Sequence, residues 1–133
     1  MNFKIYIIGE KIDKFYRDAI KEYQKRLSRY CKISVFSLKN EVELNKNIST
    51  KYYKIIVSTS GKALSSEDLA GKINDFGISG ISDISLIIGA DNVEHNDAIS
   101  ISPMEMDLGL KATIIFEQIY RSYRIINNEP YHK

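Results

Sequence analysis

The chain has 133 residues, 44% hydrophobic and 27% charged, and a formal net charge of +2. That is the composition of an ordinary soluble globular protein and the length of one domain, which runs to roughly 100–200 residues. Two Pro and seven Gly exclude a collagenous or proline-rich chain, and one Cys, Cys31, excludes an internal disulfide and a cysteine-based zinc site. No apolar run is long enough to cross a membrane, and residues 1–5 lack the apolar stretch and cleavage site of a signal peptide. The expected compartment is the cytoplasm.

In chain order, residues 3–8 read as a buried strand ended by Gly9. Asp13 is placed to cap a helix whose apolar positions Tyr16, Ile20, Tyr23, Leu27 and Tyr30 recur every three or four residues, with Arg17, Lys21, Lys25 and Arg29 on its wet side. Residues 32–38 alternate apolar and polar as a second strand, and the polar stretch 39–51 reads as a loop with room for a short helix. Residues 54–59 form a third strand, followed by a turn at Ser60, Gly61 and Lys62. Ser65 or Ser66 caps a helix to about Phe76, where Gly77 and Gly80 break it. Residues 84–88 are a fourth strand ended by Gly89, and residues 98–101 a short fifth. A long helix runs from about Asp107 to about Asn127 on the stripe Leu108, Ala112, Ile115, Ile119, Tyr123 and Ile126, with Glu117 and Arg121 paired one turn apart.

Strands alternating with helices predict an α/β fold: a mostly parallel sheet with helices on both faces. Ligands in such sheets sit beyond the carboxyl ends of the strands, here near Gly9, residues 59–61, residues 89–91 and residues 102–104. Charge is unevenly spread: residues 1–32 carry nine basic and four acidic side chains, residues 33–110 six and eleven, residues 111–133 four and two. Both ends are basic, which suits a polyanionic partner as well as it suits solvated helix faces.

Most familiar chemistries fail on inspection. Two His, His95 and His132, are too few and too far apart for a metal site. A phosphate loop ending at Gly61 and Lys62 has Ile56 where its first glycine belongs, and Gly89 stands alone where a dinucleotide fingerprint needs three glycines. What remains is the C-terminal fifth. Residues 117–124 interleave Arg121 and Arg124 with Tyr120 and Tyr123, and the tail brings Tyr131, His132 and Lys133 together. Arginine forks bind phosphate and aromatic faces stack on bases, although an amphipathic helix with tyrosines in its core accounts for the helical part equally well.

The ending Glu117-Gln118-Ile119-Tyr120-Arg121, Arg124-Ile125-Ile126-Asn127 and Glu129-Pro130-Tyr131-His132-Lys133 resembles the RlmH family of the SPOUT methyltransferases. Gly61-Lys62 with Leu64-Ser65-Ser66-Glu67, and Ile87-Ile88-Gly89, resemble further parts of that family, so that the likeness covers the whole chain, with apparent deletions after Leu38 and after Asp97. The resemblance implies a single α/β SPOUT domain with a deep C-terminal trefoil knot, acting as a homodimer. It implies S-adenosylmethionine as methyl donor and N3 of a pseudouridine in 23S rRNA, within the assembled ribosome, as acceptor; neither a metal nor a membrane is involved. By position it places the cofactor at Val57, Gly89, Ile101, Ser102, Pro103, Met104, Glu105 and Met106. His132, with an imidazole that ordinarily titrates near neutrality, becomes the candidate base for the N3 proton. Tyr131 is its candidate orienting partner, and Arg121 the candidate stabiliser of charge on the ring oxygens. Arg17, Lys21, Arg124 and Lys133 become candidate RNA contacts.

Three positions depart from the family. Its glycine-rich turn reads Gly89-Ala90-Asp91-Asn92-Val93, its Pro-His at the start of the last helix reads Asp107-Leu108, and an Arg one turn later reads Ala112. A divergent, non-catalytic SPOUT dimer that binds RNA or another partner is therefore the alternative reading.

Overall fold

A computed structural model describes residues 1–132; Lys133, one of the candidate RNA contacts, lies outside the described residues. Its elements follow in the order β1 (Asn2–Ile8), α1 (Lys14–Leu27), β2 (Lys32–Leu38), α2 (Glu41–Asn47), β3 (Tyr53–Ala63), α3 (Ser66–Ser79), β4 (Asp83–Ile88), β5 (Asp97–Ser100) and α4 (Leu108–Ile126). The strands form one sheet in the order β2-β1-β4-β3-β5, and every neighbouring pair is parallel. This is the α/β architecture that the alternation predicts.

The period of two along β1 divides the core. Phe3, Ile5 and Ile7 face one side, where α1, α3 and α4 bury Ile20, Leu27, Ile73, Phe76, Ile115, Phe116 and Ile119. Tyr6 and Ile8 face the other, against Ile56 and Ile87 of the sheet, Leu44 of α2, and Ala90 and Val93 of the loop after β4. Helices thus cover both faces, three on one and a single short one on the other. The stripe on α1 lies as expected, with Ile20 and Leu27 buried and Tyr16 and Tyr23 half-buried.

The short helix for which residues 39–51 left room is present: the Asn40 side chain accepts from the Glu43 N–H at 3.0 Å and Leu44 is fully buried, so one cap and one anchor suffice. Three local expectations are corrected. Ser60, Gly61 and Lys62 continue β3 instead of turning. Pairing with β5 is interrupted between Val57 and Lys62, then resumes, and a Cβ at Gly61 would lie 2.6 Å from the Ile99 carbonyl carbon and oxygen. Glycine here permits two backbones to touch; it does not end the strand. Gly77 sits inside α3 with nothing within 4 Å of a Cβ, and the helix ends at Gly80, which takes the left-handed conformation at φ 81°. Asp13 holds the N-cap position of α1 but its side chain makes no capping hydrogen bond. Ser65, by contrast, forms a full capping box: its hydroxyl accepts from the Asp68 N–H at 3.0 Å and the Asp68 carboxylate accepts from the Ser65 N–H at 3.1 Å.

Cys31 is partly buried beside this core, and burial pushes its thiol up to about 11. The thiolate is the reactive form, and its greater nucleophilicity offsets only part of its scarcity, so at pH 8 Cys31 should react with a neutral aromatic disulfide slower than free cysteine by on the order of 10-fold or more. A rate matching free cysteine in the folded protein would contradict this.

Candidate functional site

The carboxyl edge of the sheet gathers three separated segments. Val57 of β3 is in register with Ile88 of β4 on one side and Ile99 of β5 on the other. Ser58 and Gly89 follow directly, whereas Ser100 pairs with Ala63 beyond the interruption in β3. Val57 itself is buried. From Ser100 the chain runs through Ile101, Ser102, Pro103, Met104, Glu105 and Met106 to α4. The Ser100 hydroxyl donates to the Ser102 carbonyl at 3.0 Å, and the Ser102 hydroxyl accepts from the Met104 N–H at 3.0 Å. The Thr59 hydroxyl donates to Glu105 Oε1 at 3.4 Å, joining this segment to β3. The eight residues expected to hold a cofactor thus lie on or beside one sheet edge. Of these eight, Ile101 is the one that lines a cavity of about 310 Å³, together with Ser100, with Ser65 and Ser66 at the start of α3, and with Ile115 and Gln118 of α4.

Both departures on this edge have structural roles. Gly89 has φ 95°, and a Cβ there would lie 2.2 Å from the Ile8 carbonyl oxygen, so one glycine is obligatory. The residues after it are not: among the described residues Asn128 is the only non-glycine with positive φ. Residues 90–93 follow ordinary backbone, and Ala90 and Val93 turn inward to bury themselves beneath the sheet. At the start of α4 the Asp107 carboxylate accepts from the Gly109 N–H at 2.9 Å and more weakly from that of Leu110, an N-cap in place of Pro-His. Leu108 wedges against Gly9 and Gly89. Ala112 is fully buried, which leaves no room for an arginine at that position. Sequence reading did not single out Gly109, where a Cβ would lie 2.3 Å from the Tyr16 ring; it lets α1 and α4 approach.

The three candidate catalytic side chains meet at the other end of α4. Glu117 is the common partner of two of them, Tyr131 and Arg121, and His132 joins through Arg121. Glu117 accepts from the Tyr131 hydroxyl at 3.0 Å, from Arg121 Nε at 3.2 Å and from Gln118 Nε2 at 2.6 Å. Arg121 lies over the Tyr131 ring, 4.7 Å from its centroid, and donates through a terminal nitrogen to His132 Nδ1 at 3.1 Å. His132 Nε2 bonds to Glu67 in the first turn of α3. The Ser66 hydroxyl donates to Gln118 Oε1 at 2.5 Å and ties the same turn to α4. Burial and its bond to the Glu117 carboxylate push the Tyr131 phenol above the usual tyrosine range. Its own backbone N–H, then the His132 bond, hold Glu67 below the usual carboxylate range. The sequence pairs Glu117 with Arg121 along the helix and sets both Glu117 and Glu67 within stretches that resemble the family, but neither signal carries the tail contacts, which span 14 and 65 residues.

The four candidate RNA contacts do not behave alike. Lys21 is exposed on α1 in line with Lys25, Arg26 and Arg29. Arg17 is half-buried and donates to the Ile12 carbonyl at 2.6 Å. Arg124 turns to the protein, donating to Tyr30 at 3.1 Å, to Glu129 at 3.0 Å and to the Pro130 carbonyl at 2.9 Å, and so holds the tail's entry. Around it Tyr30 stacks on Tyr123 with centroids 5.3 Å apart, and Tyr120 meets Tyr131 edge-on at 5.0 Å. The tyrosines of the C-terminal run are therefore mostly packing, as the structural reading of that stretch allows.

Comparison with known proteins gives the family. A family model described as "Predicted SPOUT methyltransferase" matches residues 1–132. A protein of Thermoanaerobacter sp. strain X514 called ribosomal RNA large subunit methyltransferase H 1 is 58% identical over 133 residues, covering all of both chains. A protein of Thermoanaerobacter pseudethanolicus called ribosomal RNA large subunit methyltransferase H 2 matches equally well. The ribosomal RNA large subunit methyltransferase H of Lactobacillus acidophilus is 35% identical over 159 aligned positions, again across all of both chains.

Proposed function

This chain belongs to the SPOUT methyltransferase family, within its RlmH group, and from that premise we propose that it transfers a methyl group from S-adenosylmethionine to N3 of a pseudouridine in 23S rRNA on the assembled ribosome. It does so as a cytoplasmic homodimer of one knotted domain. The observation that carries this reading is the linked cluster of Tyr131 and Arg121 on Glu117 and of His132 on Arg121, next to a cavity that Gln118 of the same helix shares with Ile101.

The edge suits the cofactor. A pocket at the lower end of the roughly 300–1,000 Å³ range typical of ligand sites, about 310 Å³, opens beside Ile101 with apolar walls and a few hydroxyls. Glu105 offers a carboxylate to a cationic ligand, and among the described residues it forms no ion pair. S-adenosylmethionine supplies an electrophilic methyl group on a sulfonium. Val57, Gly89 and the backbone from Ile101 to Met106 would hold it.

The remaining steps fall to the tail. N3 of pseudouridine carries a proton that must leave as the nitrogen attacks. A guanidinium only donates, so His132 Nδ1 is the acceptor in its contact with Arg121 and Nε2 carries the hydrogen bonded to Glu67. The lone pair of Nδ1 becomes free when Arg121 turns from the imidazole to the substrate. There the guanidinium stabilises charge on the ring oxygens while Nδ1 takes the proton. Tyr131, fixed by Glu117, sets the face on which the base stacks. Lys21 and Arg17, with Lys133, reach the rRNA phosphates, and Arg124 serves them indirectly by holding the tail. Phe15 and Leu110, 63% and 38% exposed on α1 and α4, provide apolar surface for the second subunit.

The non-catalytic alternative draws its force from the altered turn and the lost Pro-His. Buried Ala90 and Val93, the Asp107 cap and the Leu108 wedge give those changes ordinary structural reasons, which supports the catalytic reading. Calorimetric titration with S-adenosylmethionine and S-adenosylhomocysteine, followed by methyl transfer to unmodified ribosomes, tests it. Micromolar binding and incorporation are expected; no binding up to millimolar ligand would overturn the proposal.

A further inference from the structure

We propose that Glu67, which sits 65 residues from the tail in sequence, is the positioning residue of His132: its carboxylate fixes the imidazole so that Nδ1 is the nitrogen that takes the substrate proton. The inference rests on the general-base reading of His132 given above.

His132 is gripped from two elements. Arg121 on α4 donates to Nδ1 and Glu67 on α3 accepts from Nε2–H. A neutral imidazole in water exchanges its proton between the two nitrogens and turns freely about its side-chain bonds. Here the carboxylate and the guanidinium select one tautomer and one ring orientation. Glu67 is itself placed with precision. The Ser65 capping box sets the first turn of α3, and the Ser66–Gln118 hydrogen bond ties that turn to the helix bearing Arg121.

The proton path then closes. The N3–H proton passes to Nδ1, and the electron pair it leaves on N3 forms the new N–CH3 bond. The pair of the breaking C–S bond stays on sulfur. The imidazolium that results lies against the Glu67 carboxylate, which balances its charge without moving.

The fold does not require this residue. Its side chain is 61% exposed, and the capping of α3 is complete through Ser65 and Asp68. Substitutions at Glu67 are therefore expected to fold, which makes the proposal testable by activity.

The test compares Glu67→Ala, Glu67→Gln, His132→Ala and the Glu67→Ala/His132→Ala double variant in methyl transfer to unmodified ribosomes. Glu67→Ala should lower kcat on the order of 10-fold or more, with KM for ribosomes and the calorimetric affinity for S-adenosylmethionine unchanged. Glu67→Gln, whose amide oxygen still accepts from Nε2–H, should recover part of the loss. Adding Glu67→Ala to His132→Ala should cost nothing further. An unchanged kcat in Glu67→Ala while His132→Ala is impaired overturns this inference alone. So does the same fold-loss in the His132→Ala background. A fully active His132→Ala overturns the general-base reading on which it rests.

Discussion

Replacing Gly89 with alanine is expected to lower stability by at least about 3 kcal/mol, with a fall in Tm on the order of 10 °C or more. Two penalties add. The residue has φ 95°, a conformation that costs an L residue roughly 1–3 kcal/mol. Its Cβ would also stand 2.2 Å from the Ile8 carbonyl oxygen and 3.1 Å from Leu108 Cδ1. Leucine can shift; the Ile8 carbonyl cannot, because β1 is held between β2 and β4 by pairing on both sides. Relief requires moving the turn at Gly89 away from the end of β1, which would also push against Leu108 at the start of α4. Gly77→Ala is the control. Its site is helical with open space around it, so the change should be neutral or stabilising by up to about 1 kcal/mol. Urea unfolding of both variants decides the matter: a Gly89→Ala protein within 1 kcal/mol of the parent, a threshold set by ordinary mutational scatter of about that size, would show that the edge yields more easily than its geometry implies.

The comparison of glycines also shows what could be read from the sequence and what could not. Periodicity placed all five strands and three of the four helices, because burial on one face leaves a repeating pattern that local reasoning can see. The pattern does not say why a glycine is there. Gly61 and Gly77 look like breakers in isolation; one serves a backbone contact with Ile99 and the other serves nothing that a Cβ would disturb. Val93 looks like a poor substitute for glycine until its burial against the second face of the sheet is known. At the site, the tail motif brought Arg121, Tyr131 and His132 to notice because they are close in sequence. Glu67 stands in a family-like stretch of its own, but nothing there joins it to the tail: its contact depends on the crossing of α3 and α4, which no local pattern encodes. Arg124 illustrates the reverse. As a basic residue among tyrosines it reads as a phosphate ligand, yet Glu129, Tyr30 and the Pro130 carbonyl take up its two terminal nitrogens.

Glu117→Ala should have the largest effect on methyl transfer for the least damage to the fold. Its carboxylate is the one acceptor shared by Gln118, Arg121 and Tyr131, so its removal strands three donors at once. The stability loss should be modest, about 1–3 kcal/mol, since the Glu117 and Arg121 side chains are 19% and 25% exposed and water can replace part of what is lost. The catalytic loss should be far larger, on the order of 100-fold or more in kcat. Without Glu117 the Arg121 guanidinium no longer has a fixed end from which to swing between His132 and the substrate, and the Tyr131 ring loses the bond that sets its plane. Glu117→Gln does not restore this. An amide keeps one acceptor, but an N–H2 in place of the oxygen that Tyr131 and Arg121 share would face the donor-only guanidinium, and the Tyr131 hydroxyl would have to turn from donor to acceptor, so it should remain impaired by about 10-fold. Single-turnover methyl transfer beside thermal unfolding separates the two effects. If kcat falls only in proportion to the folded fraction, Glu117 is a strut of the tail and nothing more. If kcat collapses while the protein stays folded at the assay temperature, the orientation of Arg121 and Tyr131 is what the carboxylate provides.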